Sequence, residues 1–185
     1  MSLLTVFADE NPGAEVLCSA DPVTIAAVLQ QAGIRFEQWQ ASVMIKPGDS
    51  SERVLQAYEQ QIKKLIAEDG YQTVDVISLD AGDPQVQAKV PELRQKFLSE
   101  HRHSEDEVRF FVAGRGLFSL HLNKQIYEVL CEQGDLISVP ADTPHWFDMG
   151  ARPAFVAIRF FNNQEGWVAH YSGNPIAEQF SRLET

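Results

Sequence analysis

The sequence predicts a mainly β protein with flanking helices: an antiparallel barrel or jelly roll that follows a mixed α/β segment. Short apolar runs succeed one another through the second half of the 185-residue chain, separated by Gly, Asn and Pro. Longer stretches with apolar residues at helical spacing occur in the first half. Closely spaced strands joined by such turns are typical of antiparallel sheets that close on themselves.

The first half is predicted to alternate strands and helices. One helix begins at Asp21-Pro22, because Asp caps a helix and Pro fits its first turn, and it ends near residue 32. A second helix begins within 49–52, which has a capping-box pattern, and ends at Gly70. Its apolar stripe consists of Val54, Leu55, Tyr58, Ile62, Leu65 and Ile66. The other predicted elements are strands at 3–8, 15–19 and 71–79 and a helix at 91–98.

The second half is predicted to consist of strands and tight turns. The glycine-rich segment 114–116 lacks the third glycine and the following helix of a phosphate loop, so we interpret it as a turn. The predicted strands cover 107–113, 117–122, 125–130, 136–139, 145–148 and 154–161.

We expect one domain over residues 1–185, since this length fits a single hydrophobic core. The mixed α/β part (1–99) and the tail (162–185) are predicted to pack on a barrel core (100–161) that carries the functional site. The tail contains Trp167 and Tyr171, which favours packing over a free extension.

Composition restricts the partners. The net charge of −11 and the lack of any Lys/Arg cluster argue against nucleic acid and anionic membrane surfaces. No stretch approaches ~18 consecutive apolar residues, and the N-terminus has no basic region before an apolar run. The two cysteines, Cys18 and Cys131, are far apart, so we expect free thiols in the cytoplasm, with Cys131 buried.

Three histidines and one carboxylate form the most informative pattern. His101, His103 and Glu107 share strand parity if the chain is extended, and His145 would come from a neighbouring strand. Imidazole and carboxylate are ligands for a divalent transition metal. Four such ligands leave two adjacent positions of a six-coordinate metal free for a substrate that chelates through two oxygens.

Strand parity leaves one ligand open, because Glu105 shares it with Glu107. Asp106 points the other way, and we expect it to be solvated or to accept a hydrogen bond near the site. His121 lies in a strand that carries none of these ligands, and we expect it to pack or to form a hydrogen bond with the backbone. His170 lies in the tail and is expected to be solvated.

Parity also selects residues beside the metal. Arg109 should face the interior with Glu107, where an anionic substrate would offset its burial; a structural ion pair is the alternative. Phe147 should line the same cavity, two residues beyond the last histidine, whereas Phe111 is expected to pack in the core. Arg159, on the last strand, is a further candidate, with a role outside the site left open.

These residues resemble a known family. The segment from His101 to Glu107, followed after six residues by Gly114, resembles the first motif of the cupins, and the segment from Gly134 to His145 resembles the second. The chain departs from the general pattern, at turn positions rather than ligands, at Gln95, Asp142 and Met149.

A narrower resemblance covers most of the chain and is strongest over residues 97–168. Residues 100–112 and 134–150, together with Arg-Phe-Phe at 159–161 and Gly-Trp-Val at 166–168, are similar to the acireductone dioxygenases. This resemblance selects Glu107 rather than Glu105 as the ligand. It also implies that Phe97 and Trp167 form an apolar wall of the substrate pocket, although core packing would account for both.

The resemblance implies the reaction. Such enzymes cleave acireductone, 1,2-dihydroxy-3-keto-5-methylthiopentene, with O2 in methionine salvage. With Fe(II) the products are formate and 2-keto-4-methylthiobutyrate; with Ni(II) they are formate, carbon monoxide and 3-methylthiopropionate. We therefore expect one Fe(II) or Ni(II) per chain, a small anionic substrate, and a monomer. The ligand set suits both metals, so the sequence does not choose between them.

Two other classes remain open at this point. One is another metal-dependent cupin enzyme, such as a different dioxygenase or a sugar isomerase. The other is a non-enzymatic cupin that binds a small molecule. Arg109 beside the apolar Phe147 favours a small anion with an apolar tail over a sugar phosphate.

Overall fold

Two antiparallel sheets face each other in the computed structural model, which describes residues 1–163 and 168–184. In spatial order, the first sheet contains β12 (His170–Tyr171), β5 (His101–Arg102), β10 (His145–Asp148), β7 (Arg115–Leu122), β8 (Gln125–Glu132), β1 (Leu3–Ala8) and β2 (Asn11–Ser19). The second contains β3 (Arg35–Gln38), β9 (Asp135–Val139), β6 (Glu107–Ala113), β11 (Ala154–Phe161) and β4 (Thr73–Asp80). The predicted fold class, mainly β with flanking helices, is confirmed.

Within the described residues, four α-helices and one 3₁₀-helix flank the sheets. They are α1 (Pro22–Gln31), α2 (Ser51–Ala57), α3 (Glu59–Asp69), α4 (Pro84–Leu98) and the 3₁₀-helix Pro175–Gln179. Among the described residues, no helix has the length and apolar character needed to cross a membrane.

Apolar side chains fill three layers. The central layer lies between the sheets and includes the rings of Phe111, Phe118, Phe147 and Phe155. A second cluster joins the outer face of the five-stranded sheet to α2 and α3, and a third joins the outer face of the seven-stranded sheet to the 3₁₀-helix. The barrel interior is therefore closed on both sides, and Cys131 is buried in it as predicted.

The helix predicted from Pro91 begins at Pro84 instead. Asp83 accepts a hydrogen bond from the Gln85 backbone N–H, and Pro84 occupies the first turn. Asp83-Pro84 is thus the start signal that the sequence also presents at Asp21-Pro22. Pro91 lies inside the helix, a position that proline usually disfavours. The predicted boundary is wrong because the capped start at Asp83-Pro84 lies before Pro91 and is the stronger signal.

The helix predicted up to Gly70 is divided in two. Ser50 caps its start, and Gly70 ends it in the left-handed conformation, as predicted for that glycine. The backbone of Tyr58 leaves the helical region, so α2 ends there and α3 begins. Tyr58 Oη donates to the Val43 carbonyl, and its ring lies edge-on to Phe110. Tertiary packing at this buried tyrosine overrides the continuous apolar stripe.

Candidate metal centre

The four predicted ligands converge at one end of the space between the sheets. His101 and His145 are register partners in β5 and β10 of the seven-stranded sheet, whereas Glu107 begins β6 of the five-stranded sheet. One potential ligand atom from each of these residues and from His103 lies within 4.8 Å of the others, and all four side chains are buried. The group therefore joins the two sheets.

The local backbone differs from the predicted continuous strand. β5 ends at Arg102, and the chain crosses from one sheet to the other before Glu107. The His103 carbonyl accepts a hydrogen bond from Asp142 N, and Asp106 accepts one from Ala141 N. This crossover, rather than strand parity, brings His103 beside Glu107. Strand parity across 101–107 is therefore the wrong explanation for this grouping, although the residues that it selected do lie together.

Each imidazole is oriented by a backbone carbonyl. The Nδ1 atoms of His101, His103 and His145 lie 2.7, 3.0 and 2.8 Å from the carbonyl oxygens of Ser99, Val168 and Thr143, in that order. A carbonyl oxygen only accepts, so each Nδ1 must carry the proton. In the neutral rings, every Nε2 therefore presents a lone pair.

The Nε2 lone pairs of His103 and His145 face the carboxylate of Glu107. Glu107 Oε2 lies 2.9 Å from His145 Nε2 and 3.1 Å from His103 Nε2. Burial lowers the pKa of His101 to about 4, with help from the neighbouring His145, so that ring is neutral at pH 7. Burial alone would raise the pKa of Glu107, but the positive charge of Arg109 opposes this effect, and the pKa lies well below its usual range.

Such a donor set fits a metal cation. Electron pairs that converge over distances of about 3 Å repel one another unless a cation lies among them. A divalent metal about 2.1 Å from each ligand would separate opposite ligands by roughly 4.2 Å, which is compatible with this group. The residues present therefore fit a metal bound by His101, His103, Glu107 and His145.

Arg109 lies beside this group, as its parity with Glu107 predicted. It is 2% exposed, and its Nη2 donates to Glu107 Oε1 at 2.7 Å. Burial lowers the pKa of Arg109, and Glu107 opposes this effect. Its guanidinium carbon lies 4.4 Å from the centre of the Phe147 ring, so a buried cation, a carboxylate and an aromatic face are combined here. The ion pair left open by the sequence is formed.

Of the three other predicted pocket residues, the structure describes Phe97 and Arg159. Phe97, on α4, is half-buried and packs against the central core. Arg159 is the register partner of Arg109, and it forms two hydrogen bonds, of 2.8 and 2.6 Å, with Asp75. Trp167 lies outside the residues that the structure describes.

The other acidic and histidine candidates lie outside the ligand group. Glu105 accepts a hydrogen bond from the Asn162 backbone N–H. His121 contacts two carboxylates, with its Nδ1 2.7 Å from Glu100 and its Nε2 3.3 Å from Asp9. His170 is exposed, as predicted.

Two contributors were missed by sequence reasoning. Phe118 lies under the Arg109 guanidinium at 5.2 Å, and Gly116, interpreted as part of a turn, is a residue of β7 beside the Phe147 ring. Both lie on the face of β7 that alternation would turn inward, so the period of the strand was the available signal.

Comparison with known proteins gives concordant matches. The profile of the ARD/ARD′ family matches residues 4–169. The acireductone dioxygenase of Alcanivorax borkumensis is 57% identical over 182 residues, 98% of each chain. That of Pseudomonas fluorescens is 56% identical over 184 residues, 100% of this chain and 99% of the relative.

A solved structure gives the same result in three dimensions. Acireductone dioxygenase from Bacillus anthracis, which holds a cadmium ion in its active center, superimposes with a TM-score of 0.80 at 30% identity. The match covers 92% of this chain and 98% of that one.

Proposed function

The chain belongs to the ARD/ARD′ family, and from that premise we propose that it is a metal-dependent dioxygenase that cleaves acireductone with O2. The observation that carries the proposal is the buried group of three Nε2 lone pairs and one carboxylate. The group has the ligand chemistry for a divalent ion such as Fe(II) or Ni(II), one per chain.

The metal ligands would be His101, His103, Glu107 and His145. When bound there, Fe(II) or Ni(II) would supply Lewis-acid chemistry toward the oxygens of the substrate. The Nδ1–carbonyl hydrogen bonds direct the three Nε2 atoms at the ligand group. Burial keeps His101 neutral, and the low pKa of Glu107 keeps its carboxylate ionised, so neither group carries a proton that would compete with a metal at neutral pH.

The substrate is an enediol beside a ketone, and it would bind as an anion. Arg109 provides a fixed positive charge next to the ligand group, where it would stabilise negative charge on the substrate. Phe147 covers one side of that charge and would exclude water from it. Phe97 and Trp167 are proposed to contact the thioether tail, and Arg159 to lie at the edge of the pocket.

The products are proposed to depend on the metal. Fe(II) would give formate and 2-keto-4-methylthiobutyrate, and Ni(II) formate, carbon monoxide and 3-methylthiopropionate. In both cases the oxygen balance places both atoms of O2 in the products. The same four ligands would serve both metals, since imidazole and carboxylate suit each of them.

One experiment tests both binding and reaction. Protein is stripped of metal, reloaded with Fe(II) or Ni(II), and mixed with acireductone under anaerobic conditions. Substrate should bind, perturb the metal absorption spectrum and persist. On admission of O2, substrate should disappear and formate should be released, with carbon monoxide only from the Ni(II) form.

The matched controls are two histidine variants. His145→Ala removes a ligand and should lose most of the metal and all turnover, whereas His121→Ala removes a half-buried histidine outside the group and should keep both. Anaerobic binding with no oxygen consumption in either metal form would leave a small-molecule-binding protein and remove the dioxygenase assignment.

A further inference from the structure

An aromatic ring fills the space beside Gly116 in β7. A Cβ atom at this glycine would lie 2.4 Å from Phe147 Cζ and 2.5 Å from Phe147 Cε2. Backbone conformation does not require glycine here, since the φ angle of Gly116 is outside the left-handed region, unlike the +70° of Gly114. The lack of a side chain therefore serves the position of the Phe147 ring.

The Phe147 ring is enclosed on its other sides. Its centroid lies 4.8 Å from that of Phe118, 6.0 Å from that of Phe155 and 6.5 Å from that of Phe111. All four rings are at most 1% exposed. These neighbours leave the ring no open space into which it could retreat. Because the core is close-packed, a displacement of the ring is transmitted to the groups around it.

The guanidinium of Arg109 lies on this aromatic pair. Its carbon is 4.4 Å from the Phe147 centroid and 5.2 Å from the Phe118 centroid. With the two rings 4.8 Å apart, the three points form a nearly equilateral triangle, so the cation lies over both rings and not between them. From this position, Arg109 Nη2 reaches Glu107 Oε1 at 2.7 Å.

We propose that Gly116 is a positioning residue of the metal centre. Its missing side chain lets the Phe147 ring lie close to β7. The position of this ring determines where the Arg109 guanidinium lies, and the guanidinium holds Glu107 Oε1. Glu107 Oε2 is then left directed at the histidines. This proposal rests on the proposed metal role of Glu107. It concerns how the carboxylate is held, which no ligand motif in the sequence specifies.

A methyl group at position 116 should disturb this arrangement. To restore an ordinary contact of 3.4 Å, the ring would have to move by about 1 Å from its 2.4 Å approach. Arg109 has more rotatable bonds than the aromatic neighbours of the ring, so the displacement is passed to the guanidinium. Its shift loosens Glu107 Oε1, and partners that orient metal ligands typically change metal affinity by about 10- to 100-fold.

Co²⁺ binding to the full chain tests the proposal, since Co²⁺ absorbs visible light according to its coordination. Gly116→Ala should weaken Co²⁺ binding at least about tenfold and shift the visible spectrum. Gly13→Ala is the matched control: it also lies in a strand of the seven-stranded sheet, and its Cβ would meet only Asn11 Oδ1, at 3.8 Å. Its affinity and spectrum should equal those of the wild type.

Two outcomes would overturn the role of Gly116. One is wild-type Co²⁺ affinity and spectrum in Gly116→Ala while His145→Ala loses Co²⁺. If Gly116→Ala does not fold, Phe118→Leu decides, because it removes the other ring under Arg109 without adding bulk. Weaker Co²⁺ binding in Phe118→Leu supports the proposal, and wild-type binding overturns it. Equal Co²⁺ binding by wild type and His145→Ala would instead overturn the metal role on which the proposal rests.

Discussion

At the scale of single residues, the centre depends on groups that leave no signature in the sequence. The carbonyls of Ser99, Thr143 and Val168 fix the tautomer of three imidazoles, with the proton on Nδ1. Every residue has a carbonyl, so only the fold determines which ones face a histidine. The metal ligands, in contrast, could be predicted, because coordination requires specific side-chain types at a workable spacing.

Arg109 shows over which residues strand parity correctly predicts the orientation of a side chain. Parity with Glu107 within β6 predicted its inward orientation, and both residues do lie in that one strand. Parity across 101–107 gave no valid geometry, because the chain changes sheets between His101 and Glu107. The period of a strand is informative only where the strand is unbroken.

Arg109→Met is predicted to affect both metal and turnover. Removal of the guanidinium releases Glu107 Oε1 and takes away the positive charge beside the substrate. We expect metal affinity to fall by about 10- to 100-fold, and turnover of the fully loaded enzyme by ~10²-fold. Metal titration followed by kinetics at saturating metal separates the two effects.

Arg115→Met is the control for this change. Arg115 is an exposed arginine of β7 whose Nη2 donates to the Glu184 carbonyl. It should retain both metal affinity and turnover. Wild-type turnover in metal-loaded Arg109→Met would show that Arg109 has no part in the reaction.

At the scale of elements, boundaries were predictable where turn residues mark them. The strands predicted at 107–113, 145–148 and 154–161 agree with the structure at both ends. The two-residue strand β5 and the short β3 were not predicted as separate elements, because such lengths carry no period. Their positions are set by pairing with partners distant in sequence, such as His145 with His101.

Helix α4 is joined to the barrel by an ion pair whose carboxylate is buried, in addition to apolar packing. Arg94 donates two hydrogen bonds, of 2.7 and 2.8 Å, to Asp148, which also accepts from the backbone N–H groups of Gly150 and Leu183. Asp148 is 1% exposed. Burial raises its pKa, but Arg94 and the two backbone donors outweigh this effect, so the pKa lies below its ordinary value.

Arg94→Met should therefore destabilise the protein by about 2–4 kcal/mol, since it leaves a buried carboxylate without its cation. Urea denaturation of metal-free protein measures the change. Lys96→Met, on the same helix, breaks an exposed pair with Glu92 and should cost less than about 1 kcal/mol. Equal losses in the two variants would contradict the role given to Arg94.

The same pair predicts a pH dependence. A carboxylate with a lowered pKa in the folded state stabilises the fold above its unfolded pKa, and it loses that contribution as pH falls through the folded-state value. The stability difference between wild type and Arg94→Met should thus be largest near neutral pH. It should shrink as pH falls from the Asp148 pKa of the variant, which loss of Arg94 raises, to the lowered pKa of the wild type. A difference that stays constant down to acidic pH would contradict the role given to the Asp148 charge.

At the scale of the whole molecule, the candidate metal centre joins the two sheets. Two of its residues belong to the seven-stranded sheet, His101 and His145, and Glu107 belongs to the five-stranded sheet. His103 lies on the crossover, and its Nδ1 is bound by the carbonyl of Val168 in the tail. The order in which strands pair was not predictable from local patterns, so this bridging role is visible only in the fold.

Because a bound metal would cross-link both sheets in the folded state alone, its binding should stabilise the whole molecule. At a free Ni²⁺ concentration ~1,000-fold above Kd, linkage gives about 4 kcal/mol. For a chain of this size, 1 kcal/mol corresponds to a Tm change of roughly 2–4 °C, so Tm should rise by about 8–16 °C. Differential scanning calorimetry of metal-free and Ni²⁺-loaded protein measures this shift.

The effect of removing a protein ligand distinguishes this rise in Tm from nonspecific binding of Ni²⁺ to an acidic surface. With a net charge of −11, the protein attracts cations over its whole surface, and that attraction weakens with added salt. Removal of one buried ligand leaves the surface charge almost unchanged, so His145→Ala should abolish most of the Ni²⁺-induced rise in Tm, at low and high salt alike. A rise that survives in His145→Ala and disappears at high salt would place the stabilising ions on the surface and not between the sheets.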